Sequence, residues 1–296
     1  MLINETKLVE IFIEVDDFCN AFHAWCKANR PELAVSKKRG VAACLSQSEI
    51  LTILQLYHLS GYKCFEYFYT EGVLKTLKTE FPKAVSYTRF VALIGSVESL
   101  MFLFTQYKCA QSLKTGTYFV DSKKLPVCFI KREKQHKVFA TIAQKGKSST
   151  GWFFGLKVHL VINDLGEIVQ FAFSPANTAD NNTLILNHLF NNLIGKCVGD
   201  KGYLTKLFET FLEKGLQILT RIRSNMKNVL IPMVDKILIR KRGIIESVND
   251  ILMTICDIEH TRHRSPQNAF VSMMAAISAY AYLERKPALK IKKWLC

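Results

Sequence analysis

Apolar residues recur every three or four positions from Leu8 through Ile11, Val15, Phe18 and Phe22 to Trp25, which predicts one amphipathic helix with a single buried face. Arg30-Pro31 ends it, because the residue before a proline is driven out of the helical region. Ser46 and Glu49 have the S-x-x-E spacing of a capping box and predict a second helix, ILTILQLYHL, closed by Gly61. A third helical pattern runs through CFEYFYTEGVLKTLKTEF to Pro82, and Ser86 is placed to cap a fourth, SYTRFVALIGSVESLMFLF. Near residue 115 the period changes. TYFVDSKKL (117–125) reads as a short apolar strand, and FFGLKVHLVIN and EIVQFAFSP read as a hairpin around Asp164-Leu165-Gly166. TADNNTLILNHLF then reads as a helix, KCVGD as a strand, LTKLFETFLEKG as a helix ended by Gly215, LQILTRIR as a strand and RGIIESVNDILMTI as a helix. The expected class is therefore α/β, a mixed sheet with flanking helices (113–296) preceded by a small all-helical domain (1–112).

Composition narrows the partners. The chain of 296 residues carries 40 Lys and Arg against 25 Asp and Glu, a formal net charge of +15. Such self-repulsion is best relieved by a polyanion, so nucleic acid leads the expected partner classes, with a solubility charge as the plainer reading. The nine cysteines are scattered, odd in number and never in a C-x-x-C pair, as expected of reduced cytosolic core residues. MLINETKLVE lacks the basic flank and apolar core of a secretory signal. AFVSMMAAISAYAYL falls short of the ~20 residues of a membrane helix and is expected to be a buried one, so no membrane partner is expected. Without a glycine-rich loop followed by Lys-Ser or Lys-Thr, no nucleotide cofactor is expected either.

Two carboxylates stand where strands meet the expected crevice of the sheet: Asp121 in YFVDSK and Asp200 in VGDKGY. A third, Glu246, lies on the later helix, with Asp250 one turn further on as its competitor. Magnesium suits such a set, because it takes oxygen ligands and typically one or two carboxylates, and two such ions would clamp an in-line phosphoryl displacement. Each acid read alone is as well explained by a turn or a solvated helix face. Cys256, His260 and His263 have spacings that could bind zinc, but no fourth ligand is evident and Cys256 also fits a buried stripe. His159, alternating on its strand, reads by default as a core or sheet-surface residue, and Asp180 as a helix cap.

YFVDSK, VGDKGY and the R-x-x-x-E of Arg242 and Glu246 resemble the three motifs of bacterial insertion-sequence DDE transposases, whose catalytic core is RNase H-like. LSQSEILTILQLYHLSGY, FPKAVSYTRF and IEHTRHRSPQNAF are similar to the insertion-sequence family numbered nine hundred and eighty-two, over about residues 40–285. The resemblance implies an RNase H-like fold and a catalytic, metal-binding triad of Asp121, Asp200 and Glu246. It also implies a two-ion magnesium site in which manganese can substitute. Related groups carry a Tyr and a Lys where this chain has Ile239 and Met253, so no role is carried over to those positions.

The implied activity is transposition: strand cleavage at element ends, then transfer of the freed 3′-hydroxyl into target DNA. A nuclease of the same fold that never joins, and a DNA-binding repressor with a vestigial site, are the alternatives. The expected partners are double-stranded DNA, as terminal inverted repeats and target, and a second copy of the chain. The expected location is the bacterial cytoplasm, with the nucleoid. Lys123, Lys124, Lys131, Arg132, Arg221, Arg223, Arg240, Lys241, Arg242, Arg262 and Arg264 are expected to contact DNA, as is Arg89, at the start of a possible helix-turn-helix recognition helix beside Tyr87. Lys134, Lys137, Lys145, Lys147 and Lys227 would line the same path. Each of these also reads as a plain solvated charge.

Overall fold

The computed structural model describes residues 4–30, 44–203, 207–221, 231–259 and 264–289. The chain forms two compact units, one made of residues 1–107 and 252–282 and the other of 108–251 and 283–296.

The first unit is helical. Helix α1 (Glu5–Asn29) is capped by Asn4, whose side chain accepts from the Thr6 amide, and buries Leu8, Ile11, Val15, Cys19 and Cys26. Helix α2 (Gln47–Leu59) carries the expected capping box, with Ser46 and Glu49 each bonded to the other's backbone amide. Gly61 follows it at φ 79°, the left-handed conformation that lets the chain turn away. The third helical pattern is a single turn, Phe65–Tyr67, running into a π-helix, Phe68–Thr76. Helix α3 (Tyr87–Ile94) begins after Ser86, yet the Ser86 side chain makes no capping bond. A 3-10 turn at Gly95–Val97 leads into α4 (Glu98–Gln111). The run Tyr87–Gln111 is long and apolar enough to cross a membrane by length and composition alone. Its buried residues Phe90, Ile94, Val97, Met101 and Phe104 recur at helical spacing, the stripe of a core helix.

The second unit holds a six-stranded mixed sheet with flanking helices, consistent with an RNase H-like core. Its strands are β1 (Thr117–Cys128), β2 (Gln144–Ser148), β3 (Gly151–Asn163), β4 (Ile168–Pro175), β5 (Gly195–Gly199) and β6 (Leu216–Thr220). The order is β2-β3-β1-β5-β6, with β4 also paired to β3. β1, β3 and β4 form the expected antiparallel set, while β5 runs parallel to β1 and β6 parallel to β5. Between strands lie α5 (Thr183–Leu189) and α6 (Phe208–Glu213); α7 (Met233–Arg240) and α8 (Gly243–Thr254) follow β6. In the first unit, α9 (Pro266–Tyr280) is buried continuously from Val271 to Tyr280, as its apolar sequence requires.

Successive residues of a strand point to opposite faces, which divides β1 into two roles. Tyr118 and Val120 join Cys197, Ile218, Leu186, Leu189, Phe190, Phe211 and Tyr203 in one apolar cluster, so that face is sealed by α5 and α6. Phe119, Asp121 and Lys123 point to the other face, where α7 and α8 supply partners.

Candidate functional site

Asp121 stands in the middle of β1, flanked by buried Val120 on one side and half-buried Ser122 on the other. Parallel pairing joins Phe119 to Val198. Asp200 follows β5 directly, two residues past Val198, as Asp121 stands two residues past Phe119 on β1. β5 ends one residue before Asp200 because the chain turns into a 3-10 segment, Lys201–Tyr203. Asp200 is exposed, and one of its oxygens accepts from the Lys201 amide at 2.7 Å.

Helix α8 supplies the remaining groups. Its apolar residues Ile244, Ile245, Val248 and Leu252 are buried, which turns Glu246 outward. Arg242, just before the helix, puts one nitrogen 2.6 Å from Glu246 and another 3.7 Å from Asp121. The guanidinium thus bridges the two carboxylates. Asn249, three residues after Glu246 and only 2% exposed, donates its side-chain amide to the second Asp121 oxygen at 3.0 Å. Both oxygens of Asp121 are therefore engaged. Asp250, one turn beyond Glu246, lies 3.5 Å from Lys123.

Burial pushes the Asp121 carboxyl up to about 6, while the Arg242 guanidinium and the Ser122 backbone amide pull the other way, and Glu246 and Asp180 add to the rise. Among the described residues, no three His, Cys, Asp or Glu side chains lie close enough together to hold a metal ion. The chemistry of the donors still fits a hard divalent cation. Asp121, Asp200 and Glu246 offer only oxygen, and the charge that now bridges two of them is a guanidinium.

Behind Asp121, on the opposite face of β1, lies a second polar cluster. Ser122 donates to Asp180 at 2.9 Å, and Lys157 donates to the same oxygen at 3.0 Å and to the Thr178 carbonyl at 2.9 Å. Asp180 is thus not the helix cap; Asn182 caps α5, accepting from the Leu184 and Ile185 amides. His159, level with Ser122 across the sheet, is fully buried and bonded to the Ser174 hydroxyl at 2.8 Å. Burial lowers its pKa to about 4, with Asp180 opposing that shift and Lys157 adding to it. It is a neutral core residue.

The expected DNA contacts divide by exposure. Arg89, Lys131, Arg132, Arg221, Arg240, Lys241 and Arg264 are exposed, and Lys123, Lys124 and Arg242 are half-buried. Lys124 is held by the Thr150 hydroxyl at 2.8 Å. Tyr87 packs its ring against Phe65 and Tyr69. Arg223, Lys227, Arg262, His260 and His263 lie outside the described residues. Burial pushes the Cys256 thiol up to about 12, with Lys63 pulling it down, so it stays protonated at neutral pH and is a poor metal ligand.

Sequence reasoning alone missed Asn249 and the Asp180–Lys157 pair. The signal for Asn249 was present: an amide three residues after Glu246 shares its side of the helix. A model of the family described as Transposase DDE domain matches residues 111–266, a span that includes Asp121, Asp200, Arg242, Glu246 and Asn249. No curated protein matches the chain.

Proposed function

We propose, for a chain that belongs to the transposase DDE domain family and is therefore a DNA transposase, that Asp121, Asp200 and Glu246 form its acidic triad. The observation that supports this reading is the Arg242 bridge from Asp121 to Glu246, with Asp121 and Asp200 each two residues past the last pair of β1 and β5. Members of this family typically use divalent metals. Here the triad would hold a two-ion magnesium site, with manganese as a substitute. When bound, magnesium supplies the Lewis-acid stabilisation of the attacking and leaving oxygens of an in-line displacement at phosphorus.

The side chains of the protein divide the remaining work. Asn249 fixes the orientation of Asp121 through one oxygen. Arg242, released from its two carboxylates, would pair with a phosphate of the bound strand. Lys123, Lys124, Lys131, Arg132, Arg221, Arg240 and Lys241 contact the backbone, as does Arg264; exposure of most of these cations supports that role. Water attacks the phosphodiester at the element end and expels a 3′-hydroxyl, which then attacks a target phosphodiester in the same site, joining to the target's 5′-phosphate and releasing the target's own 3′-hydroxyl. No step needs a covalent protein intermediate.

The helical segment 1–112 serves as the DNA-binding domain, with Arg89 on its recognition helix, and 113–296, apart from the stretch 252–282 that belongs to the helical unit, as the catalytic domain. LSQSEILTILQLYHLSGY, FPKAVSYTRF and IEHTRHRSPQNAF support kinship with the family numbered nine hundred and eighty-two. A homodimer handles the two element ends, in the cytoplasm with the nucleoid. Free cysteines at all eight described positions support a reducing compartment.

The test is cleavage and joining of a labelled duplex carrying the inverted repeat that borders the gene, with magnesium, for wild type and Asp200→Asn. Cutting and joining by wild type, absent from a variant that still binds DNA, is the expected result. Cutting without joining would replace transposase by nuclease, and binding without cutting would favour a repressor.

A further inference from the structure

A pocket of about 380 Å³ in the second unit is lined by Thr220, Arg221, Ile231, Lys236, Ile239 and Arg240. Lys236, Ile239 and Arg240 stand at positions i, i+3 and i+4 of α7 and so form one helix face. The acid of that helix, Asp235, is turned away, 2% exposed and held by Lys196 of β5 at 2.5 Å. Among the described residues the lining therefore has three cations and no carboxylate. None of the three makes an ion pair among the described residues.

The place of this pocket is set by the sheet. Phe119, Val198 and Leu219 are paired across the three parallel strands, and Asp121, Asp200 and Arg221 each come two residues later in the chain. At about 4.8 Å per strand, the backbones of Phe119 and Leu219, two residues before Asp121 and Arg221, are roughly 10 Å apart. Along one DNA strand the charges are spaced about 3.4 Å apart in axial rise, so this span covers roughly three nucleotides. The volume lies within the range of about 300–1,000 Å³ usual for ligand pockets, and isoleucines beside the cations suit a sugar beside its phosphate.

We infer that the Arg221–Lys236–Arg240 pocket binds the sugar-phosphate backbone of the DNA strand being cut, within about three nucleotides of the phosphate presented to Asp121 and Asp200. The inference rests on the reading of those two aspartates as the cutting site. Three cations with no ion pair among the described residues, beside the strand that precedes Asp200, attract the substrate where the carboxylates would repel it. Lys236 then joins Arg221 and Arg240 as a residue that sets where the strand lies.

The experiment measures binding of the full chain to the element-end duplex in chelator, so that it reads independently of cutting. Single phosphates on either side of the cleavage point are replaced in turn by uncharged methylphosphonates, and wild type is compared with Lys236→Gln/Arg240→Gln. The variant should bind more weakly, with a log-log salt slope shallower by about 1 for each phosphate it no longer neutralises. In wild type, methylphosphonates within three nucleotides on one side should weaken binding to the same extent, and in the variant they should add nothing further. Equal sensitivity of both proteins at every position would overturn the inference. So would a pocket that binds free thymidine 5′-monophosphate in wild type while DNA affinity is unchanged in the variant. Failure of the transposase reading would show separately, as wild type that binds but never cuts with magnesium.

Discussion

Asn249 donates to one oxygen of Asp121 at 3.0 Å from a position three residues beyond Glu246, so one helix both carries one acid of the proposed triad and orients another. The two acids are thereby mechanically linked. A shift of α8 alters the angle of Asp121 as well as the position of Glu246.

Replacing Asn249 should therefore slow chemistry more than binding. Asn249→Ala is expected to lower the cleavage rate by about 10- to 100-fold, the usual effect of removing the partner that orients a ligating carboxylate. DNA affinity in chelator should stay within about twofold of wild type. Loss of affinity together with rate, or a melting curve without a cooperative transition, would mean that the amide serves folding instead.

Arg242 should matter in the absence of any metal. With both side chains about one-fifth exposed, Arg242→Ala strips Asp121 of its counter-charge and should cost about 1–3 kcal/mol, read as a lower urea midpoint in chelator. Adding magnesium should restore part of that stability in the variant and change little in wild type. Identical midpoints for the two proteins would show that the bridge does not form in solution.

His159 predicts an acid-sensitive fold. Its folded pKa, about 4, is below the ordinary value of 6.5, so between these limits the unfolded chain binds a proton that the folded chain refuses. Stability therefore rises with pH across that window and is lost as pH falls from 6.5 toward 4, by roughly 3 kcal/mol in all. Urea melts at pH 7 and pH 5 should differ in wild type and differ less in His159→Gln. An undiminished difference in the variant would assign the acid sensitivity to another group.

Gly146 is fixed by space. A Cβ there would stand 2.3 Å from the Ala176 carbonyl oxygen, a backbone atom that cannot swing aside. Gly146→Ala should destabilise the second unit by about 1–3 kcal/mol through forced separation of β2 from the chain after β4. A wild-type melting temperature would show that this edge yields freely.

Local pattern decided much of this protein. Helix and strand periods, the Ser46–Glu49 capping box, the hairpin around Gly166 and the buried helix at 266–280 were all legible, because each depends on residues within a few positions of one another. β2 and α7 were not. The strand QKGKS is polar on an edge and has no apolar alternation to reveal it, and α7 is only eight residues long. Ser86 marks where α3 begins, but whether a hydroxyl reaches the helix amides depends on a rotamer that sequence does not express.

What the chain by itself determined was the chemical inventory: three candidate acids in recognisable motifs and a surplus of positive charge. Tertiary structure alone decided which of those groups meet. Parallel pairing of β1 with β5 joins segments far apart in the chain, and the strand order follows from how apolar faces are covered across the whole sheet, a non-local choice. Asn249, Asp180 and Lys157 acquired their roles only then, because a buried polar group must find its partner wherever packing has put one.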